Sequence, residues 1–375
     1  MNLNIVQFTW GLKIAGLERV VVDLAKGFHE IGHKSMVYTT LKEGDLVHEL
    51  RQVGINCKCF GLKKSYNFFG LVPIVSDLKS NRINVIITHG TSGSWVPRIA
   101  AILARIPVFI HVEHSTSNNK RFYHIILNRI LSKFTHRIVC VSESARQSLL
   151  EIEKIKPNRV SVIHNGLHTG RFAFVKDKQK SNSRLKKIGI VGRFDVLKGH
   201  LYFIEAAAKV IKSFKDIEFV FIGDGPLKTM IEQRVKELGL DEYSRFLGLR
   251  SDVGELLQTL DVFVLSSIQE GLPISLLEAQ YFGVAAVVTA VGGIPEIIKD
   301  KYNGLLVPPK NPERLATAIL SVLNDEKLRS KLAVNAKKGF INRFSIENTV
   351  KNYLNVISDI FNQETKKSYI IRQSN

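Results

Sequence analysis

The chain has 375 residues, 45% hydrophobic and 23% charged. That is the balance of a folded globular protein of about two domains, and it excludes disordered, collagen-like and fibrous classes. The formal net charge is +19. Residues 1–175 carry 23 Lys and Arg against 11 Asp and Glu, and residues 176–375 carry 30 against 23, so the excess sits in the first half. A basic field of this kind attracts an anion: nucleic acid, acidic lipid or a phosphorylated substrate. Three cysteines (Cys57, Cys59 and Cys140) are too few for a disulfide framework and lack a second ligand pair at zinc spacing. They read as reduced thiols. The N-terminus shows no targeting signal, and the most apolar stretch, 99–112, is short for a bilayer and broken by Arg105 and Pro107. A cytoplasmic protein with no membrane span is the expectation.

Along the chain, short β-branched or aromatic runs at 3–8, 35–40, 84–88, 107–112, 137–141 and 160–164 predict strands. Helical patterns lie between them. The first is the clearest, with Leu17, Val20, Val21, Leu24, Phe28 and Ile31 at three- and four-residue steps and Gly32 as its stop. A polar, aperiodic stretch follows, and the alternation restarts with strands predicted at 188–191, 218–222, 245–247, 262–265, 285–289 and 305–307. The continuous apolar character of these runs is that of parallel strands buried on both faces. The expectation is an α/β protein of two doubly wound parallel-sheet domains facing each other across a cleft, with ligands beyond the carboxyl ends of the strands. The first domain spans 1–170, a linker 171–186 and the second domain 187–344.

The strongest motif is Glu270-Gly-Leu-Pro-Ile-Ser-Leu-Leu-Glu278. It follows a predicted strand, and Pro273 sits where a helix should begin. The amides around Leu272, Pro273, Ile274 and Ser275, with the helix dipole, make an anion site suited to phosphate. Glu270 before the helix and Glu278 within it are placed to accept from hydroxyls on both sides of a bound diphosphate. A second motif, Gly192-Arg193-Phe-Asp-Val-Leu-Lys198-Gly199, brings a guanidinium and an ammonium to another strand end, a fork and a point charge for a diphosphate. Gly223-Asp-Gly225-Pro226 and Gly292-Gly293-Ile-Pro-Glu296 are further tight turns.

Taken in order, Arg193 and Lys198, Gly223-x-Gly225-Pro226, Glu270-x7-Glu278, Gly292-Gly293-x-Pro-Glu296 and Asn303-Gly304 resemble the second domain of retaining glycosyltransferases of the GT-B fold. Upstream, Ile14-Ala15-Gly16-Leu-Glu18-Arg19 resembles that family's glycine-rich loop, His111-x-x-His114-Ser115-Thr116 its histidine segment, and Asn165-Gly166 its turn before the linker. Phe344-Ser345 stands before a last helix, about 345–375, which in the family returns to the first domain. Ala15 replaces the usual first glycine, Leu167-His168 stands in place of a hydrophobe and Asp, and Gly283-Val284-Ala285 lacks the usual Pro.

The resemblance implies a UDP- or GDP-sugar donor bound mainly by the second domain and an acceptor, a glycan or lipid-linked intermediate of cell-envelope polysaccharide synthesis, held by the first. By position, Glu278 would hold the ribose hydroxyls, Glu270 the donor sugar, and Arg193 and Lys198 the diphosphate. Gly16 would admit backbone close to the donor, and His114 (or His111, three residues earlier) would lie near the sugar and the attacking hydroxyl. No enzymic nucleophile is assigned. The sequence holds no Asp-x-Asp pair, so no metal and no further cofactor is expected. The alternatives are another GT-B activity, such as a nucleotide-sugar epimerase, or a polyanion-binding protein. The last lacks a recognisable nucleic-acid module, and no nucleic-acid partner is expected.

The segment 119–137 interleaves Lys120, Arg121, Arg129, Lys133 and Arg137 with Phe122, Tyr123, Ile125, Ile126, Ile130, Leu131 and Phe134. It has two readings: a basic amphipathic helix lying peripherally on the anionic inner face of the cytoplasmic membrane, with Lys63 to Phe69 as a neighbouring contact loop, or a helix whose apolar stripe packs on the sheet.

Overall fold

The computed structural model describes residues 2–63, 68–90, 94–116, 120–173, 175 and 184–373. It divides into two units, Met1–His168 with Ile346–Asn375, and Thr169–Ser345. Most of the predicted linker (174 and 176–183), the loop residues 64–67 and Asn119 lie outside the described residues.

In the first unit, strands β1 (Asn4–Thr9), β2 (Lys34–Thr39), β3 (Asn56–Cys59), β4 (Val85–His89), β5 (Val108–Glu113), β6 (Arg137–Cys140) and β7 (Val160–Val162) form one parallel sheet in the order β3-β2-β1-β4-β5-β6-β7. Helices α1 (Gly16–Glu30), α2 (Val47–Gln52), α3 (Leu71–Ser80), α4 (Trp95–Ala104), α5 (Phe122–Ser132) and α6 (Glu143–Glu151) connect the strands. The residues of β4 and β5 are all buried, as strands covered on both faces must be. On α1 the three- and four-residue steps bury Val20, Val21, Leu24 and Phe28, and Gly32, with φ +86°, follows the helix in the left-handed region that favours glycine. The hydrophobic pattern does not announce β3, because Asn56–Cys59 alternates exposed and half-buried residues at the sheet edge.

The second unit repeats the design. Strands β8 (Lys186–Val191), β9 (Ile217–Ile222), β10 (Ser244–Gly248), β11 (Val262–Leu265), β12 (Ala285–Thr289) and β13 (Leu305–Val307) form a parallel sheet in the order β10-β9-β8-β11-β12-β13. Its helices are α7 (His200–Val210), α8 (Lys228–Glu237), α9 (Val253–Gln258), α10 (Ile274–Tyr281), α11 (Ile294–Ile297), α12 (Pro312–Asn324) and α13 (Glu326–Arg343). Phe203, Phe219, Phe221, Val264 and Ile319 lie in its core. In each sheet the strand order reverses once, between β1 and β4 and between β8 and β11. Loops leaving adjacent strands there diverge to opposite faces, and the gap they leave is where such sheets bind ligands.

The last helix, α14 (Ile346–Gln373), packs on α1 of the first unit. Gly27 makes that approach possible: a Cβ there would lie 2.7 Å from Val350 and 2.9 Å from Ile346. Phe28 and Tyr353 meet edge to face beside it, with ring centroids 6.3 Å apart.

Helix α5 is built with its polarity reversed. Its buried side carries Asn128 and Ser132 beside Leu131, and the Asn128 amide donates to Glu153 while its oxygen accepts from Arg98. Lys120, just before the helix, bridges Glu113 at 2.5 Å and Glu153 at 2.8 Å. Burial works against the Lys120 charge, and the two carboxylates outweigh it, so its pKa stands above the ordinary lysine value. Removing this cation leaves two buried carboxylates without their shared partner. Lys120→Ala is expected to destabilise the first unit by about 3–5 kcal/mol, read as a lowered urea midpoint against wild type; an unchanged midpoint would show that the network contributes nothing.

Candidate functional site

In the second unit, the two loops that flank the reversal of strand order carry the predicted side chains. The loop after β8 turns through Gly192 and Arg193 and enters a short helical turn capped by Asp195, whose carboxylate accepts from the Lys198 amide. Gly199 follows with φ +63°, and a Cβ there would lie 2.2 Å from the Ser266 carbonyl oxygen. Ser266, in the loop after β11, donates its hydroxyl back to the Gly199 carbonyl at 2.9 Å. The Ile268 amide also donates to the Leu197 carbonyl at 2.7 Å, so the two loops are tied by side chain and backbone alike. Lys198 Nζ reaches Glu270 Oε1 at 2.6 Å, and Ser267 Oγ donates to the same oxygen at 2.6 Å. Glu270 is buried and Lys198 half-buried, so this pair is shielded from solvent far more than a surface pair.

Two further glycines hold this arrangement. At Gly223, which follows β9, a Cβ would meet the Gly192 carbonyl oxygen at 2.0 Å. At Gly292, with φ +55°, it would meet the Glu270 carbonyl oxygen at 1.9 Å, and the next amide, Gly293, donates to the Gly271 carbonyl at 2.9 Å. Only a residue without a side chain allows such crossings.

Helix α10 begins at Ile274 with Pro273 as its N-cap and no side-chain cap. Leu272, Pro273 and Ile274 are buried and Ser275 half-buried, so this turn offers backbone more than side chains. Glu278 lies within the helix, buried, and takes an ion pair from Arg171 at 2.8 Å. Arg171 stacks over Phe172 with its guanidinium carbon 4.5 Å from the ring centroid. Arg193 is exposed and reaches Asp195 at 3.9 Å, apart from the Lys198–Glu270 pair. The structure therefore joins Lys198 to Glu270 and gives Glu278 a partner, Arg171, that the sequence reading did not single out. No local pattern marks Arg171, which lies 107 positions from Glu278.

In the first unit, Gly16 is the first residue of α1, behind Ala15 in extended conformation. His114 directly follows β5 and is half-buried, whereas His111 is fully buried within that strand with Nδ1 2.9 Å from Thr88 Oγ1. His114 Nε2 lies 3.0 Å from His89 Nδ1, and His89 Nε2 lies 2.9 Å from Gln7 Oε1. Burial lowers the pKa of His114 to about 4 and holds His89 and His111 well below the ordinary histidine value. Gln7 and His89 were not legible as partners of His114, because they come from separate strands that only the sheet order makes neighbours.

Residues 14–171 match the model described as Glycosyltransferase Family 4, and residues 172–339 that described as Glycosyl transferases group 1. The Escherichia coli UDP-Gal:alpha-D-GlcNAc-diphosphoundecaprenol alpha-1,3-galactosyltransferase is 27% identical over 74% of this chain and 75% of its own length. The Campylobacter jejuni N,N'-diacetylbacillosaminyl-diphospho-undecaprenol alpha-1,3-N-acetylgalactosaminyltransferase is 29% identical over 81% of this chain and 86% of its own. Among solved structures, Anabaena HepE in complex with UDP-glucose shares the fold with a TM-score of 0.84, 20% identity, and coverage of 95% of this chain and 99% of that one.

Gly239 and Gly292 both have positive φ, but a Cβ at Gly239 meets nothing within 4 Å. Gly239→Ala is expected to cost about 1–2 kcal/mol, the left-handed strain alone. Gly292→Ala should cost clearly more in the same urea titration, and equal costs would show that the Glu270 loop yields freely.

Proposed function

The chain belongs to the glycosyltransferases, with a family 4 domain followed by a group 1 domain on the GT-B architecture, and we propose that it transfers a sugar from a nucleoside diphosphate donor with retention of configuration. The observation that carries this reading is the Lys198–Glu270 pair at the reversal of the second sheet, beside the uncapped start of α10. Lys198, Arg193 and the first-turn amides of α10 would take the diphosphate, with no bridging metal. Glu278 would accept from the ribose hydroxyls and Glu270 from the donor sugar. In the free protein these carboxylates are held by Arg171 and Lys198, so a bound diphosphate competes with Glu270 for the Lys198 ammonium.

The bond from the anomeric carbon to the diphosphate oxygen breaks, and a bond from that carbon to the acceptor oxygen forms on the same face. The acceptor's proton passes to the departing phosphate oxygen. Positive charge builds on the sugar and negative charge on the leaving group, and preorganised cations and amides around the latter supply the main stabilisation. Full burial of His111 favours His114 as the histidine near the sugar.

The two bacterial relatives are named for acceptors linked to undecaprenyl diphosphate, and a lipid-linked acceptor of cell-envelope polysaccharide synthesis is proposed here. No helix among the described residues is long and apolar enough to cross a membrane. The outer side of α5 favours a peripheral contact on the inner face of the cytoplasmic membrane. Phe122, Ile126 and Ile130, one turn apart, and Phe134 beyond them are all exposed, Phe122 by 77%, with Arg121, Arg129 and Lys133 beside them. Of the same segment's apolar residues, Leu131 is buried and Ile125 half-buried. In the same unit Phe69 is 92% exposed.

Two measurements test this. Lys198→Ala is expected to weaken stabilisation by nucleoside diphosphates in a thermal-shift panel and to lower kcat by roughly 10²–10³. A folded wild-type protein that responds to no nucleoside diphosphate would contradict the donor assignment. For the surface, a Phe122→Ser, Ile126→Ser double variant is expected to bind anionic vesicles at least about tenfold more weakly in co-sedimentation, since a large apolar side chain contributes about 1.5–3 kcal/mol on burial. Equal sedimentation would remove α5 from the membrane contact.

A further inference from the structure

The proton positions on His114 follow from a chain of hydrogen bonds that begins in the buried sheet two strands away. Gln7 lies within β1, His89 ends β4 and His114 follows β5, and the order β1-β4-β5 sets the three side by side. Gln7 is fully buried, and its amide nitrogen lies 3.3 Å from the Val21 carbonyl oxygen of α1. A backbone carbonyl only accepts, so the Gln7 amide must present nitrogen to Val21 and oxygen to His89. The flipped amide would set two acceptors against each other on the α1 side. Facing an acceptor at 2.9 Å, His89 must carry its proton on Nε2.

His89 is 2% exposed, and burial keeps it neutral, so its Nδ1 is a lone pair. That lone pair can accept only if His114 carries its proton on Nε2, 3.0 Å away. His114 is half-buried, and desolvation lowers its pKa to about 4, so at neutral pH its Nδ1 carries no proton.

We propose that Gln7 and His89 are positioning residues that fix the tautomer of His114, so that this histidine presents an Nδ1 lone pair to the ligand and accepts a proton-bearing hydroxyl there. The functional half of this inference rests on the transferase reading of His114; the tautomer itself does not. With the opposite tautomer, the same ring would present an N–H at Nδ1 in place of a lone pair, because the hydrogen bond made by one ring nitrogen sets the state of the other.

The test is nitrogen NMR on the full chain labelled with ¹⁵N-histidine, without donor, combined with transfer kinetics. Wild-type His114 is expected to show a protonated Nε2 and an unprotonated Nδ1. Gln7→Leu frees His89 to change tautomer, and His89→Phe removes the acceptor for His114. In each variant that keeps its far-UV circular dichroism and nucleoside diphosphate binding, His114 is expected to populate the Nδ1-protonated form, and kcat to fall by roughly ten- to a hundredfold with the donor KM unchanged. A wild-type His114 protonated on Nδ1, or an unchanged tautomer in the folded variants, overturns the proposal. A fixed wild-type tautomer that shifts in the variants of a protein without transferase activity would instead sustain the relay and contradict the transferase reading.

Discussion

Places in the second unit where one backbone crosses another with no room for a side chain govern what that unit can present to a ligand. Gly199 lies against Ser266, Gly223 against Gly192 and Gly292 against Glu270, each leaving a hypothetical Cβ about 2 Å from a carbonyl oxygen. Crossings this close fix the loops after β8, β9, β11 and β12 to one another rather than to solvent. Lys198 and Glu270 then meet not by chance encounter of two flexible side chains but because their loops are already tied. A site for a departing diphosphate needs such preorganisation, since cations that must first be gathered lose much of their effect.

The first unit meets a different constraint, the burial of polar groups inside a parallel sheet. There Lys120 gathers Glu113 and Glu153 beneath α5, and Gln7, His89 and His114 run across the sheet's reversal. Both arrangements follow from low dielectric: a buried charge needs a partner, and a buried histidine gives up its charge. The same burial turns α5 inside out. Its inner side is satisfied by Arg98 and Glu153 through Asn128, which leaves Phe122, Ile126 and Ile130 on the outside. The basic excess of the first half thus shares that unit with an exposed apolar stripe, a combination suited to an anionic lipid surface.

Much of this was legible in the chain. The alternation of apolar runs with helical patterns gave both sheets apart from β3, because strands buried on both faces cannot avoid continuous hydrophobicity, whereas the half-exposed Asn56–Cys59 can. Glu270, Glu278 and Lys198 stood out because turns, prolines and helix starts have local signatures. The ion pair of Arg171 with Glu278, 107 positions apart, has none. Nor does the 82-residue separation of His89 from Gln7, which depends on strand order rather than on spacing. The outward face of α5 was ambiguous for a further reason: a periodic stripe states that a helix has two sides but not which one the protein covers.

Donor diphosphate binding by the second unit through Lys198 and the start of α10 is testable in a crystal structure of the chain with a nucleoside diphosphate bound. Phosphate oxygens are expected on the Lys198 ammonium and on the first-turn amides of α10, with the Lys198–Glu270 pair opened and the ribose hydroxyls on Glu278. A nucleotide bound elsewhere, with Lys198 still closed on Glu270, would contradict it.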